Sequence, residues 1–264
     1  MVMSKVFSTA IVATVLLAGC STYKVPGAGA NMGKLMGNDS YESLLQADST
    51  KTQIATPGKD IKTNYDLKPE SRFPAYLIFL RLQDKGYHSY SVRYGNDTRG
   101  DFSVITIKDV EKDGDFDHFR SLAGVAQVGT LSSLLLPSEI RTEKDLRLAA
   151  SRLQADILIL YTVDTKFWSE DAAAPLSVIT LGLSPSVTVN MVSTVSAVLI
   201  DVRTGYIYGM AEATDKQTQL SAWWTNESAV DQSRQRTERA AFEKMLTELE
   251  KLWIQLAMEK MTSK

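Results

Sequence analysis

Asp156-Ile157-Leu158-Ile159-Leu160-Tyr161-Thr162-Val163 (DILILYTV) is the stretch on which the reading of the fold turns. Its apolar residues run almost unbroken instead of alternating, the pattern of a central strand covered on both faces. Just before it, Thr142 and Asp145 have the spacing of a capping box. Leu146, Ala149, Ala150 and Leu153 then recur at helical intervals, so a helix feeds the strand. A helix beside a doubly covered strand is an α/β layer. Further on, Val187, Val189, Met191, Val195, Ala197 and Leu199 alternate with Thr188, Asn190, Thr194 and Ser196, which makes a long strand with one apolar face. Arg203-Thr204-Gly205 forms a hairpin turn in which Gly205 accepts a positive φ, and residues 206–213 return antiparallel.

Working upstream, residues 75–82 (AYLIFLRL) form a dense apolar run of strand length, although the Leu, Arg, Gln and Lys of 75–85 also suit a helix. Gly86 punctuates the chain, 87–94 alternates as a half-exposed strand, Gly95-Asn96-Asp97 makes a turn, and 102–110 (FSVITIKDV) reads as a further strand. Phe116, Phe119, Leu122 and Val125 fall three apart and predict a helix from Asp115, weakened by Gly124 and Gly129. At the carboxyl end, Phe242, Met245, Leu246, Leu249, Leu252, Trp253, Leu256 and Met261 hold helical rhythm, with Glu243, Lys244, Glu248, Glu250 and Lys251 opposite. Starting as early as Ser228, that helix would be roughly 50 Å long. Its first part, with Asp231, Arg234, Arg236 and Glu238, is expected to stand partly exposed. The fold class is therefore α+β: a mixed, largely antiparallel sheet packed with helices and closed by a long amphipathic helix.

The amino terminus has a different character. Lys5 precedes an apolar run, 6–17, that is too short to cross a bilayer core of roughly 30 Å, so residues 1–19 read as a secretory signal. The run ends in Leu17-Ala18-Gly19-Cys20, and Cys20 is the only cysteine of the chain. This ending resembles the lipobox of bacterial lipoproteins. The resemblance implies cleavage before Cys20, a diacylglyceryl thioether on its sulfur and an acylated amino group. Two or more acyl chains, at about 0.8 kcal/mol per buried CH₂, would hold the protein on its membrane. Ser21, where Asp commonly marks inner-membrane retention, favours the periplasmic face of the outer membrane. With no second cysteine there is no disulfide, and the fold rests on its core.

Residues 20–72 are rich in Gly, Ala, Asn, Ser, Thr and Lys and read as the lipidated terminus and a flexible tether, with a reach on the order of 40 Å. Residues 73–264 are then one periplasmic domain. The whole chain has 264 residues with 29 basic and 31 acidic side chains, and losing Lys5 with the signal leaves 28 against 31. So even a balance gives no electrostatic case for nucleic acid or for strong attraction to anionic lipid.

Few residues carry chemistry. His88 and His118 are the only histidines and neither has a His or Cys nearby, so a zinc site would need a carboxylate-dominated ligand set. Asp113, Asp115 and Asp117 loosely echo a calcium loop, yet Gly124 stands where the twelfth-position Glu belongs, and acidic residues at a helix start suit its dipole. Gly27, Gly29 and Gly33 follow no strand and precede no Gly-Lys-Ser/Thr, and no serine lies in Gly-x-Ser-x-Gly. No catalytic residue, cofactor or metal is expected.

Two apolar features point to contact surfaces. Residues 172–185 (AAAPLSVITLGLSP) are apolar where a connection is normally polar. Leu176, Val178, Ile179, Leu181 and Leu183 form a lid tucked into the core, a protein interface or a membrane contact. The Trp223-Trp224 pair precedes the long helix, with one ring packed beneath it and an exposed partner marking a contact.

The order of helix, Ala155-Asp156-apolar strand, long strand, Asp201-Val202-Arg203-Thr204-Gly205 hairpin and terminal helix resembles the periplasmic α/β domain of the curli secretion lipoprotein CsgG, the penicillin-binding-protein activator LpoB and the N-terminal domain of TolB. The chain also resembles bacterial lipoproteins sharing a TLGLSP-type loop and a DVRTGY hairpin. The resemblance implies a protein that acts by binding envelope proteins or by assembling. The expected function is a membrane-anchored adaptor for a periplasmic protein partner; the alternative is an oligomeric secretion or transport component of the CsgG type.

Overall fold

The computed structural model describes residues 28–36, 59–87, 97–106, 109–171, 187–221 and 227–262. At its centre lies β1 (Ala75–Asp84), the apolar run whose competing reading was a helix; all but Tyr76 and Asp84 are buried along it. Such a strand needs neighbours on both sides and both faces. On one side β1 pairs in parallel with β5 (Ile157–Asp171). On its other side it pairs first in parallel with β4 (Val125–Thr130) and then antiparallel with β3 (Phe102–Ile105), which itself pairs with the short β2 (Asp97–Arg99). β6 (Val187–Asp201) and β7 (Ile207–Ser221) continue antiparallel from β5, giving the order β2-β3-β1-β5-β6-β7. The result is α+β with a seven-stranded, mostly antiparallel sheet.

Each face has its own core. On the first, Leu77, Phe79, Ile157, Ile159, Val195 and Leu199 meet Phe242, Met245, Leu249 and Trp253 of the long terminal helix (Glu227–Thr262). On the second, Ile78, Leu80, Leu158, Leu160 and Ile200 meet Leu146, Ala149 and Ala150 of the helix Glu143–Arg152. Each large side chain buried in this way contributes about 1.5–3 kcal/mol. Including the two amino-terminal helices, Met32–Leu35 (α1) and Lys59–Asp66 (α2), these become α3 (Glu143–Arg152) and α4 (Glu227–Thr262). The start of α3 is capped as its sequence predicts: the Asp145 carboxylate accepts from the N–H of Thr142 at 3.0 Å and of Arg141 at 2.9 Å. Gly205 has φ of 80°, and a Cβ there would lie 3.0 Å from the Arg147 guanidinium carbon, so the hairpin turn needs glycine.

Three expectations need correction. β3 stops at Ile105 instead of running to 110, because Asp109 and Val110 turn inward, one to Arg81 and the other into the first core. No helix starts at Asp115. Phe116 and Phe119 do pack on Phe79, but from a turn and a single 3₁₀ turn (His118–Ser121), whose three-residue repeat fits their spacing. Gly124, at φ 79°, then breaks the chain into β4, which parallel pairing with β1 makes a strand. The third is the start of α4, where Asp231, Arg234 and Glu238 are buried.

Two pieces of the stretch expected as tether lie against the domain. β1 and β5 pair only at 77–80 and 157–160 and then part. The Gln83 side chain bridges the fork like a strand peptide: its amide donates to the Val163 carbonyl at 2.7 Å and accepts from the Val163 N–H at 2.8 Å. Residues 28–30 lie along this fork, with Gly29 bridging Gln83 and the Ala30 N–H donating to Thr162 Oγ1 at 2.6 Å. Leu35 of α1 then plugs the second core. Near 70, the N–H groups of Glu70 and Ser71 both donate to Asp201 at 2.7 Å.

Candidate functional site

The first polar constellation is buried under the start of α4. Arg81 alternates onto the α4 side of β1 and is only 1% exposed. Its guanidinium donates to Asp109 at 2.5 Å and to the Tyr87 hydroxyl at 3.1 Å, and lies 3.5 Å from Glu111. Glu111 accepts from the Tyr161 hydroxyl at 2.7 Å. From the helix, Arg234 donates to Asp231 at 2.8 Å and to Glu238 at 2.5 Å, while Glu238 accepts from Thr165 of β5 at 2.8 Å. Of the four residues expected to leave the first part of α4 partly exposed, Arg236 is exposed, but Asp231, Arg234 and Glu238 are buried, with Ser233 and Thr237 beside them. The reason is charge pairing, within the helix at three- and four-residue spacing and across to Thr165 of the sheet.

Burial opposes the Arg81 cation, but Glu111, the Tyr87 phenol and Asp109 outweigh it and hold its pKa well above the usual arginine value. Burial raises the Glu238 carboxyl, with Arg234 and Arg81 pulling the other way. Burial, reinforced by Glu111, also raises the Tyr161 hydroxyl. Interlocked charges of this kind orient a helix on a sheet, and losing one member strands its partners in low dielectric. Their role is to position α4.

The second constellation is the hairpin base. Asp201, wholly buried, accepts from the N–H groups of Glu70, Ser71, Arg203 and Thr204 and from the hydroxyls of Ser71 and Tyr208. Burial would raise its carboxyl, yet the hydrogen bonds from Thr204, Ser71, Glu70 and Arg203 prevail and lower it below the usual range. Asp156 works alongside, accepting from the Tyr76 N–H at 3.0 Å and from Arg203 at 2.9 Å.

The candidate binding feature is on the opposite face. α3 covers β1, the start of β5 and the end of β6 there, but the rest of that face, from β5 across β6 to β7, forms the floor of a groove of about 1010 Å³, bordered by residues 29–36 and by Asn64 of α2. Thr162, Thr194 and Ser196 form its polar floor, Lys166 and Glu212 add charge, and Met210, 73% exposed, lies on its wall. The floor hydroxyls are engaged: Thr162 donates to Gln83 at 2.8 Å, Thr194 and Thr214 share a 2.9 Å bond, and Ser196 donates to Glu212 at 2.7 Å. No histidine or cysteine lines the groove among the described residues.

The residues singled out in the sequence are mostly elsewhere. Cys20, His88, the apolar Leu176, Val178, Ile179, Leu181 and Leu183, and the Trp223-Trp224 pair all lie outside the described residues. His118 sits at the surface 3.0 Å from Glu250. Asp115 is ion-paired with Arg239 of α4, and Asp117 with Arg120 at 2.7 Å, so the two carboxylates are directed to different partners. Among the described residues no group of three His, Cys, Asp or Glu side chains is placed to hold a metal ion. Nor is any described helix long and apolar enough to cross a membrane. Reading the sequence missed Arg81, Glu111 and Gln83. A lone Arg and Gln within an otherwise apolar strand were the available signal.

No family model matches the chain, and no curated protein matches it. Among solved structures, it is similar to protein XCC0632 from Xanthomonas campestris, family DUF330, at 13% identity and a TM-score of 0.29, over 75% of this chain and 95% of that one. A likeness of that size carries no argument about function.

Proposed function

We propose that the chain is a lipoprotein, anchored through acylated Cys20 at the periplasmic face of the outer membrane, whose domain binds an envelope protein partner and catalyses no reaction. The open groove over β6 and β7 carries this reading. Two exposed apolar side chains, Met210 and Ile207, in a groove that also presents hydroxyls and charges have the make-up of a protein interface, in which a few apolar anchors are accompanied by polar groups. The floor hydroxyls of Thr162, Thr194 and Ser196 are committed to hydrogen bonds within the sheet, which suits recognition better than nucleophilic attack. Residues 28–36, which form one wall, follow the acylated terminus by a few residues, so the groove would face its partner close to the membrane.

Two variants of the full-length protein test the two halves of the proposal. Cys20→Ala should abolish acylation and cleavage before residue 20 and remove the protein from the outer-membrane fraction; outer-membrane association with normal processing would overturn the anchoring. Met210→Glu should abolish the protein adduct recovered after crosslinking in living cells, whereas Ile254→Glu, on the exposed side of α4, should leave it unchanged. The same adduct from both variants would overturn the binding role of the groove.

A further inference from the structure

β7 is the last strand of the sheet, and it is long. Its 15 residues, Ile207–Ser221, pair with β6 on one side, and among the described residues no element pairs on the other. A strand two to three times the usual length with a free outer edge is a template for another chain. Folded proteins usually blunt such an edge with proline, a covering segment or a bulge. β7 has no proline, and the irregularity in its pairing lies only at its base, opposite Leu199 and Ile200.

The side chains along this edge have an order that selects a partner. Met210, Glu212, Thr214, Lys216 and Thr218 are exposed on the open face, while Ala211, Ala213, Asp215 and Gln217 are turned toward α4 and are partly or fully buried. Asp215 is neutralised within its own chain by Lys244 at 2.6 Å. The open face therefore presents one acid and one base, placed symmetrically about Thr214. We propose that β7 pairs edge to edge with β7 of a second copy, antiparallel about a two-fold axis at Thr214, joining the two sheets into one.

In that register Glu212 of each copy faces Lys216 of the other, Thr214 faces Thr214, and Met210 faces Thr218. Shifting the axis breaks the match. Centred on Glu212 it sets acid against acid, centred on Lys216 it sets base against base, and centred on Asp215 it leaves Glu212 opposite Thr218 and Lys216 opposite Thr214. Centred on Ala213 it leaves Glu212 opposite Thr214 and Lys216 opposite Met210. Opposite charges directly across a strand pair attract and like charges repel, so the pattern specifies both the partner and the register. The two-fold axis stands perpendicular to the sheet, so both α4 helices share one side and both grooves the other, and the contact is self-complementary in the way a two-fold dimer requires. The proposal stands whether or not the groove binds a further protein.

Disulfide trapping of the full-length, lipidated protein in its own membranes tests this. Thr214→Cys, treated with an aqueous oxidant, should give a species of doubled mass on a non-reducing gel, at a yield at least ten-fold above Met210→Cys or Thr218→Cys alone. Adding Lys216→Glu to Thr214→Cys should cut the yield ten-fold or more, and adding Glu212→Lys to that variant should restore it. Absence of the 214 crosslink in a protein that folds normally by circular dichroism would overturn the proposal. So would equal yields at 210, 214 and 218, a crosslinked mass corresponding to a different protein, or failure of the reversed charge pair to restore the crosslink.

Discussion

Replacing Arg81 by Met keeps most of the side-chain volume and removes the cation. In the folded protein this guanidinium bonds Asp109 at 2.5 Å and Tyr87 at 3.1 Å and stands 3.5 Å from Glu111, with almost no exposure to water. The variant leaves two carboxylates without their cation in low dielectric, and removing one partner of a buried charge pair costs about 3–5 kcal/mol. For a domain of this size that corresponds to a fall in Tm of about 6–20 °C. Equilibrium urea unfolding of the full chain in detergent, followed by far-ultraviolet circular dichroism, measures it. The triple variant Arg81→Met, Asp109→Leu, Glu111→Leu separates the lost charge from lost packing, because replacing a whole buried ion network with apolar residues is often near neutral. It should recover more than half of the loss. A cost below about 1 kcal/mol for Arg81→Met, or no recovery in the triple variant, would refute a network in which charge pairing seats α4.

Asp201→Asn should destabilise the protein by about 2–3 kcal/mol at neutral pH, since a neutral amide replaces a carboxylate serving several donors. The Asp201 carboxyl is held below its usual value, so its contribution is present above an unfolded-state pKa of about 3.9 and disappears as pH falls through the lower folded value. Wild type should therefore lose stability on acidification over that window while Asp201→Asn loses less, and parallel pH profiles of Tm would contradict this. Gln83→Leu leaves the N–H and carbonyl of Val163 unpaired in the fork between β1 and β5, at a cost of about 2–4 kcal/mol, and the Val163 amide should exchange hydrogen faster. Gln154, just after α3, has φ of 58°, so Gln154→Gly should be neutral or stabilising by up to about 1 kcal/mol in thermal melts, while Gln154→Val should destabilise.

The parts of the fold that were legible in the sequence are those specified locally. The capping box of Thr142 and Asp145, the unbroken apolar run at 157–163, the Gly205 turn and the heptad-like stripe of α4 each carry their own instruction, and the structure follows them. β4 was not legible. Residues 125–130 read VAQVGT, with a glycine and no clean alternation, and only pairing with β1 makes them a strand. The length of β3 was overestimated because Asp109 and Val110 look like a continuing strand until Arg81 and the first core are known to lie beneath them. Asp231, Arg234 and Glu238 looked like a solvated helix face because their intrahelical spacing is that of surface ion pairs. The sheet groups that enclose them come from distant strands: Thr165 from β5 and Ser193 from β6. Arg81 and Gln83 were the hints: polar side chains inside an apolar strand point to polar groups packed against it. The groove had no local signature, since hydroxyl-rich alternation along β6 and β7 reads the same on an open face as on any solvent-facing sheet.

The open surface of the domain is set by what the helices leave uncovered. α4 covers the first face across β6 and β7, α3 covers the second over β1, the start of β5 and the end of β6, and residues 28–36 border what remains. A photo-crosslinking amino acid at Thr194, on the groove floor, compared in living cells with one at Glu248 on the exposed side of α4, tests whether the groove binds a partner. Position 194 should give a discrete adduct with one envelope protein and position 248 none. An identical adduct pattern from both positions, or no adduct from 194 in protein that is lipidated and folded, would contradict it.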